Sequence, residues 1–164
     1  MADTPAGWTS AEVRTAAENA GGESVFREFL SATVLNAHAA AERLGLRLMD
    51  LQAVNLLADA GPMTVGELGT RLGTPAATTT RVVDRLEDAG YARRVRGDTD
   101  RRRVRVDVDP ERTRAVDEAF APTRRHLAGL ATRYSPEQIA LLFDMLAFTT
   151  GGFKRATAEI RDER

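Results

Sequence analysis

The chain has 164 residues, the size of one ordinary domain, and its 43% hydrophobic and 29% charged content is that of a folded chain with a charged surface. Its 23 basic and 24 acidic residues leave a formal net charge of -1, a total that argues against a generic nucleic-acid partner. The absence of cysteine excludes a disulfide framework, a thiol nucleophile, a thiol redox switch and Cys-ligated zinc.

In chain order, residues 1–8 read as a frayed leader, with Trp8 docking on a neighbouring helix. Thr9-Ser10-Ala11-Glu12 has the form of a capping box opening a short helix to about Ala20, which Gly21-Gly22 breaks. From Ser24 to about Leu44, Phe26, Phe29, Leu30, Thr33, Ala37, Ala40 and Leu44 recur at helical spacing. A further helix spans about Asp50–Ala58, with a poorly marked start and a strong stop at Ala60-Gly61-Pro62. Thr64-Val65-Gly66-Glu67 is a second capping box, and its short helix closes at Gly73. Thr74-Pro75 then supplies an N-cap and a first-turn proline for a helix running to about Asp88 and ending at Gly90, with Thr79, Val82, Val83 and Leu86 on its apolar face.

The period then changes from 3.6 to 2. Tyr91, Arg93 and Val95 alternate with Ala92, Arg94 and Arg96, and after a polar loop Val104, Val106 and Val108 alternate with Arg103, Arg105 and Asp107, which is a β-hairpin pattern. Asp109-Pro110 caps a helix that Pro122 must kink or split. Ser135-Pro136-Glu137-Gln138 opens the last helix, which carries Ile139, Leu142, Phe143, Leu146 and Phe153 and is expected to loosen at Gly151-Gly152. The expected fold is mainly α with a small β-hairpin wing (α+β). Residues 1–23 form an N-terminal extension, 24–45 and 110–164 flanking helices, and 46–109 a winged helix-turn-helix whose turn is only Gly73-Thr74.

Splitting the charge by segment changes the meaning of the total. Residues 81–105 hold nine Arg against five acids, a net +4, while each of the other segments is net acidic. A duplex presents a phosphate about every 1.7 Å, so a local basic cluster supplies binding energy whatever the rest of the chain carries. With Thr79, Val82, Val83 and Leu86 inward, Ala77, Arg81, Asp84 and Asp88 lie opposite, Thr74, Thr78 and Arg85 flank one side and Thr80 the other. Small residues let a helix approach a major groove, hydroxyls suit phosphates, and Arg81 can address guanine O6 and N7. Arg96 and the tip residues Asp98, Asp100, Arg101 and Arg102 add a loop suited to a minor groove, with Asp100 able to orient a guanidinium. The alternative is a winged-helix module that binds protein and no DNA; the +4 segment speaks against it.

The runs Gly61–Leu68, Leu72-Gly73, Thr80–Tyr91 and Asp98–Arg102 resemble the MarR family of transcriptional regulators, with the dense match over about residues 46–110. The resemblance implies a homodimer joined through the helices at about 24–44, 110–133 and 136–160, with the helix after Thr74 in the major groove of double-stranded DNA and the wing at the minor groove. It implies DNA contacts from Thr80 and Arg81, a wing contact from Arg101 oriented by Asp100, and a backbone contact from Thr64. The chain departs from the family where Ser-Pro-Ser is common, having Pro75-Ala76-Ala77, and has Thr79 where an apolar residue is usual. It further implies a repressor on a near-palindromic operator, responsive to a small aromatic or acidic effector; His38, Arg47 and Asn55 are the candidate polar contacts for such a ligand.

No nucleophile–base pair or paired-carboxylate constellation stands out, so neither catalysis nor a cofactor is expected, and two histidines, His38 and His126, make a metal site improbable. No run approaches the roughly 18 apolar residues of a membrane span, and Met1–Gly7 does not read as a signal peptide, so a cytoplasmic protein with no membrane partner is expected.

Overall fold

The computed structural model describes residues 9–96 and 104–162. Among them run α1 (Ser10–Asn19), α2 (Gly22–Arg43), α3 (Leu48–Ala60), α4 (Val65–Leu72), α5 (Ala76–Asp88), β1 (Ala92–Arg96), β2 (Val104–Val108), α6 (Pro110–Ala119), α7 (Ala121–Leu127), α8 (Leu130–Arg133) and α9 (Pro136–Asp162). The leader through Trp8 and the wing tip at 97–103 lie outside the described residues.

The capping residues form the bonds their spacing calls for. Thr9 and Thr64 each accept a hydrogen bond from the backbone N–H three residues on, and Glu12 and Glu67 each accept one from the cap residue's N–H. Ser135 and Gln138 make the same reciprocal pair at the start of α9. Pro122 splits its helix as expected: α6 ends and α7 begins at Phe120, with the proline in the first turn of α7.

Four local expectations change. Ala20 and Gly21, the latter at φ 62°, separate the first two helices, and Gly22 is already helical. The third helix is longer at both ends than its apolar pattern shows, because its N-cap is Arg47, which makes no side-chain cap bond. The N-cap of α5 is Pro75, not Thr74, and the Thr74 hydroxyl turns inward. Helix α9 runs through Gly151-Gly152 without interruption. Two glycines reduce helix propensity by about 1 kcal/mol each but leave the hydrogen-bond ladder whole.

The core lies in the 46–109 lobe. Leu51, Ala53, Val54 and Leu57 of α3 pack with Leu68 and Leu72 of α4, Val82, Val83 and Leu86 of α5, and Val106 of β2. The end of α2 (Ala40, Ala41) and α6 (Val116, Ala119) close this core on one side. Strands β1 and β2 are antiparallel, in the register Ala92↔Val108, Arg94↔Val106 and Arg96↔Val104. Cross-strand partners share a face, so Ala92, Arg94 and Arg96 lie on the core-side face with the three valines. Met63 adds a bridge to Val106 through N–H···O contacts of 3.1 and 2.8 Å, which ties the segment before α4 to the hairpin.

Outside this lobe, α2 and α9 carry large apolar side chains facing outward. Val25, Phe29, Val34 and Leu35 of α2 are exposed, as are Leu141, Met145 and Ile160 of α9, and Phe143 and Phe148 retain 64% and 76% of their free surface. The two helices meet where Phe26 stacks on Phe153, with ring centroids 6.1 Å apart.

Candidate nucleic-acid interface

The turn between α4 and α5 brings the two helices together through small residues. Gly73 takes a left-handed φ of 62°, which is strained for any residue with a Cβ, and the Thr74 N–H returns to the Gly69 carbonyl at 2.9 Å. Gly69 sits against α5: a Cβ there would lie 2.8 Å from Thr79 Oγ1 and 3.2 Å from the Thr74 carbonyl oxygen. Thr79 is fully buried, and its hydroxyl lies 2.9 Å from Thr74 Oγ1 and donates to the Pro75 carbonyl at 3.1 Å. A threonine therefore takes an inward, buried position, with its hydroxyl satisfied locally.

With Thr79, Val82, Val83 and Leu86 buried, the opposite face of α5 exposes Ala76, Ala77, Thr78, Thr80 and Arg81. Thr80 Oγ1 donates back to the Ala76 carbonyl at 2.9 Å, and Arg81 makes no ion pair among the described residues. Thr64 is half-buried and its hydroxyl is engaged with Glu67. Ala77, Thr78, Thr80 and Arg81 thus form one exposed surface, while Thr74 and Thr64 are committed to local bonds.

Arg85 has a different position from the one its spacing suggested. Its Nε donates to Asp50 Oδ2 at 2.9 Å and its Nη2 pairs with Asp50 Oδ1, a bidentate bridge from α5 to α3. Asp50 is 2% exposed. This hydrogen bonding holds the Arg85 pKa above its ordinary value. Arg85 is therefore a brace between helices and not part of the exposed surface. Sequence reasoning passed over Asp50; its signal was an acid inside the apolar run Leu48-Met49-Asp50-Leu51.

The basic cluster is likewise partly spent inside the lobe. Arg94 pairs with Glu87 and Asp84 of α5, and Arg93 lies 3.5 Å from Asp107 on the neighbouring strand. Arg81, Arg96 and Arg105 have no acid partner among the described residues. Asp100, Arg101 and Arg102 lie outside the described residues.

Tyr91 joins three elements. It is buried, its hydroxyl donates to the Leu44 carbonyl at 3.1 Å beyond the end of α2, and the Arg112 guanidinium of α6 stands 5.2 Å from its ring centre. Tyr91 thereby adds polar ties to the packing that joins the lobe to α2 and α6.

The three candidate effector contacts lie on the flanking helix α2, at the start of α3 and within α3. His38 on α2 and Arg47 before α3 are exposed, Asn55 on α3 is half-buried, and no hydrogen bond joins them. A surface cavity of about 760 Å³ lies instead along α1 and α2, lined by Glu18, Arg27, Glu28 and Ser31 among others. Among the described residues no group of three or more His, Asp or Glu side chains could hold a metal ion, and no helix is long and apolar enough to cross a membrane.

Comparison with known proteins gives a consistent answer. The MarR family model matches residues 44–103. An HTH-type transcriptional regulator of Bacillus subtilis (strain 168), YcgE, is 38% identical over 122 residues, covering 74% of this chain and 79% of the relative. Among solved structures, a MarR family protein from Bacillus stearothermophilus superposes with a TM-score of 0.67 at 26% identity, over 85% of this chain and 96% of that one. A mutant of S. aureus MepR bound to an oligodeoxyribonucleotide shares the fold, with a TM-score of 0.57 at 15% identity over 80% of this chain and 96% of that one. With its buried α3–α5 core, tight α4–α5 turn and hairpin wing, the chain belongs to the MarR family of winged helix-turn-helix transcriptional regulators.

Proposed function

We propose that the protein is a homodimeric, sequence-specific regulator of transcription that binds double-stranded DNA at a near-palindromic operator and acts as a ligand-responsive repressor. The observation that carries this reading is the division of α5: one face is wholly buried, and the other presents Ala77, Thr78, Thr80 and an unpaired Arg81 beside an Arg-rich hairpin. That surface is small enough to enter a major groove and carries the groups that address phosphates and guanine edges. MepR, a structural neighbour, has been seen on an oligodeoxyribonucleotide. Arg96, Arg101 and Arg102 would follow the adjacent minor groove, with Asp100 orienting its neighbour.

The dimer is supported by the apolar faces of α2 and α9, which find no cover in one protomer. Flanking helices at 24–45 and 110–164 would then form the interface and hold two reading lobes about one duplex turn apart, roughly 34–36 Å. An effector, a small aromatic or acidic molecule, would act near His38, Arg47 and Asn55, where the flanking helices meet the lobe. Cytoplasmic residence follows from the same reading.

Titration of the purified protein against promoter DNA and random duplex over a range of salt tests the proposal. The reading requires tighter binding to one promoter fragment than to random duplex, with log affinity falling linearly in log salt. Absence of any shift at low salt would favour a module that binds protein. Loss of the gene from its host should raise a reporter driven by the bound promoter if the protein represses.

A further inference from the structure

The acids on α5 are unfavourably placed for a helix that faces DNA. Asp84, Glu87 and Asp88 all lie in its C-terminal half, where the helix macrodipole is already negative. Two of them are answered by one residue of the wing. The Arg94 backbone N–H donates to Glu87 Oε1 at 2.8 Å, its guanidinium pairs with Glu87 Oε2, and the same guanidinium donates to Asp84 Oδ1 at 2.7 Å. Asp84 and Glu87 are three apart, one turn on the same side of α5, which is the spacing that lets a single guanidinium reach both.

The strand register explains why Arg94 is the residue that reaches them. It stands opposite Val106, whose side chain is fully buried, so Arg94 lies on the face of the hairpin turned toward the core and α5. Its N–H is given to Glu87 and so lies on the outer edge of β1, away from β2. Arg93, the next residue back, faces the other way and meets Asp107.

We propose that Arg94 is a positioning residue: with Glu87 and Asp84 it forms a clamp that fixes the pitch of the wing relative to α5, and its charge does not serve as a phosphate contact. The proposal rests on the DNA-binding reading for its consequence, since the pitch of the wing decides whether hairpin and helix engage adjacent grooves together. Its geometric content is independent of DNA. Without the clamp, binding must restore the wing pose, so the cost in affinity is bounded by what partly exposed ion pairs contribute.

Three measurements separate a clamp from a phosphate contact. Arg94→Gln and Glu87→Gln should each weaken operator binding by about two- to fivefold, the range expected for partly exposed charge pairs. Neither should lower the salt slope by the roughly 0.9 that loss of a phosphate contact brings. The Glu87 variant is the sharper arm, because removing an acid near DNA strengthens binding if only charge matters and weakens it if the clamp matters. A drop in slope for Arg94→Gln with unchanged or tighter binding for Glu87→Gln would overturn the proposal, as would unaltered affinity in both.

The third measurement needs no DNA. The chain has no cysteine, so Val104→Cys, at an exposed position at the start of β2, accepts a single nitroxide per protomer. Its spectrum should show greater mobility when Arg94→Gln or Glu87→Gln is added. An unchanged spectrum overturns the clamp even if DNA is bound, and a mobilised spectrum supports it even if the wild-type protein binds no duplex.

Discussion

Arg85→Ala is the most informative single perturbation of the lobe, because it separates two roles for one arginine. In the folded protein its guanidinium makes two hydrogen bonds to Asp50, whose side chain is 3% exposed while that of Arg85 is 34% exposed. Removing Arg85 leaves a buried carboxylate without a hydrogen-bond donor among the described residues. Breaking a fully buried pair costs about 3–5 kcal/mol; the water that reaches Arg85 and the placement of Asp50 in the first turn of α3 reduce this to about 2–4 kcal/mol. The reverse change, Asp50→Ala, leaves a cation that can turn toward solvent, so it should cost less, about 1–2 kcal/mol. At roughly 2–4 °C per kcal/mol for a chain of this length, Arg85→Ala should lower the melting temperature by about 4–16 °C. Calorimetry of both variants at one fixed protomer concentration checks this, since a dimer melts at a temperature that depends on concentration. The pair Asp50→Leu with Arg85→Met should recover much of the loss, because apolar replacement of a buried pair is often close to neutral. An Arg85→Ala protein that melts like the wild type but binds DNA with a lower salt slope would refute the brace and return Arg85 to the interface.

Other consequences are as direct. Arg81→Ala should lose about 1–3 kcal/mol on the operator and relax selection at one base pair in competition titrations, with little effect on melting; equal loss on random duplex would make Arg81 a phosphate contact. Gly69→Ala should destabilise by about 1–3 kcal/mol despite alanine's better helix propensity, because its Cβ would meet Thr79 Oγ1 at 2.8 Å; a higher melting temperature would show that α4 and α5 can move apart freely. Phe148→Glu, at an exposed site of α9, should shift the protein from dimer to monomer in sedimentation with helix content retained; an unchanged dimer would place the interface elsewhere. The Glu137 carboxyl is held below its usual pKa by the Ser135 hydroxyl, so its contribution to the start of α9 is present above the unfolded pKa of about 4.3 and is lost as pH falls through the lower folded value. The protection factors of the amides in the first turn of α9, with the intrinsic pH dependence of exchange divided out, should therefore fall in acid, and Ser135→Ala should move that transition to higher pH.

What could be read from the sequence was what is local. Capping boxes, the Gly73 turn and the switch to period 2 at Tyr91 each depend on residues within four positions of one another, and they placed the elements of the lobe in order. The exposed surface of α5 followed from the burial of Thr79, Val82, Val83 and Leu86 by helical geometry alone. What could not be read were pairings between distant positions. Arg85 finds Asp50 thirty-five residues away, Tyr91 finds the Leu44 carbonyl forty-seven away, and Met63 bridges to Val106; composition carries no trace of these contacts. Charge counting gave a net +4 over 81–105 without showing which arginines the acids answer: Arg85, Arg93 and Arg94 are each paired with one. Thr74 was misplaced for a similar reason: the cap position was one residue off, and its hydroxyl had a partner in Thr79 that spacing alone did not favour.

The central claim is that two copies of this lobe read a defined DNA sequence. Selection of duplexes from a random library by the purified protein at moderate salt, followed by sequencing, tests it most directly. The account predicts enrichment of one near-palindromic motif with half-sites about one helical turn apart, roughly 34–36 Å, and loss of selectivity at one position in each half-site for Arg81→Ala. A pool that stays random after repeated rounds, at salt low enough to retain non-specific binding, would contradict it.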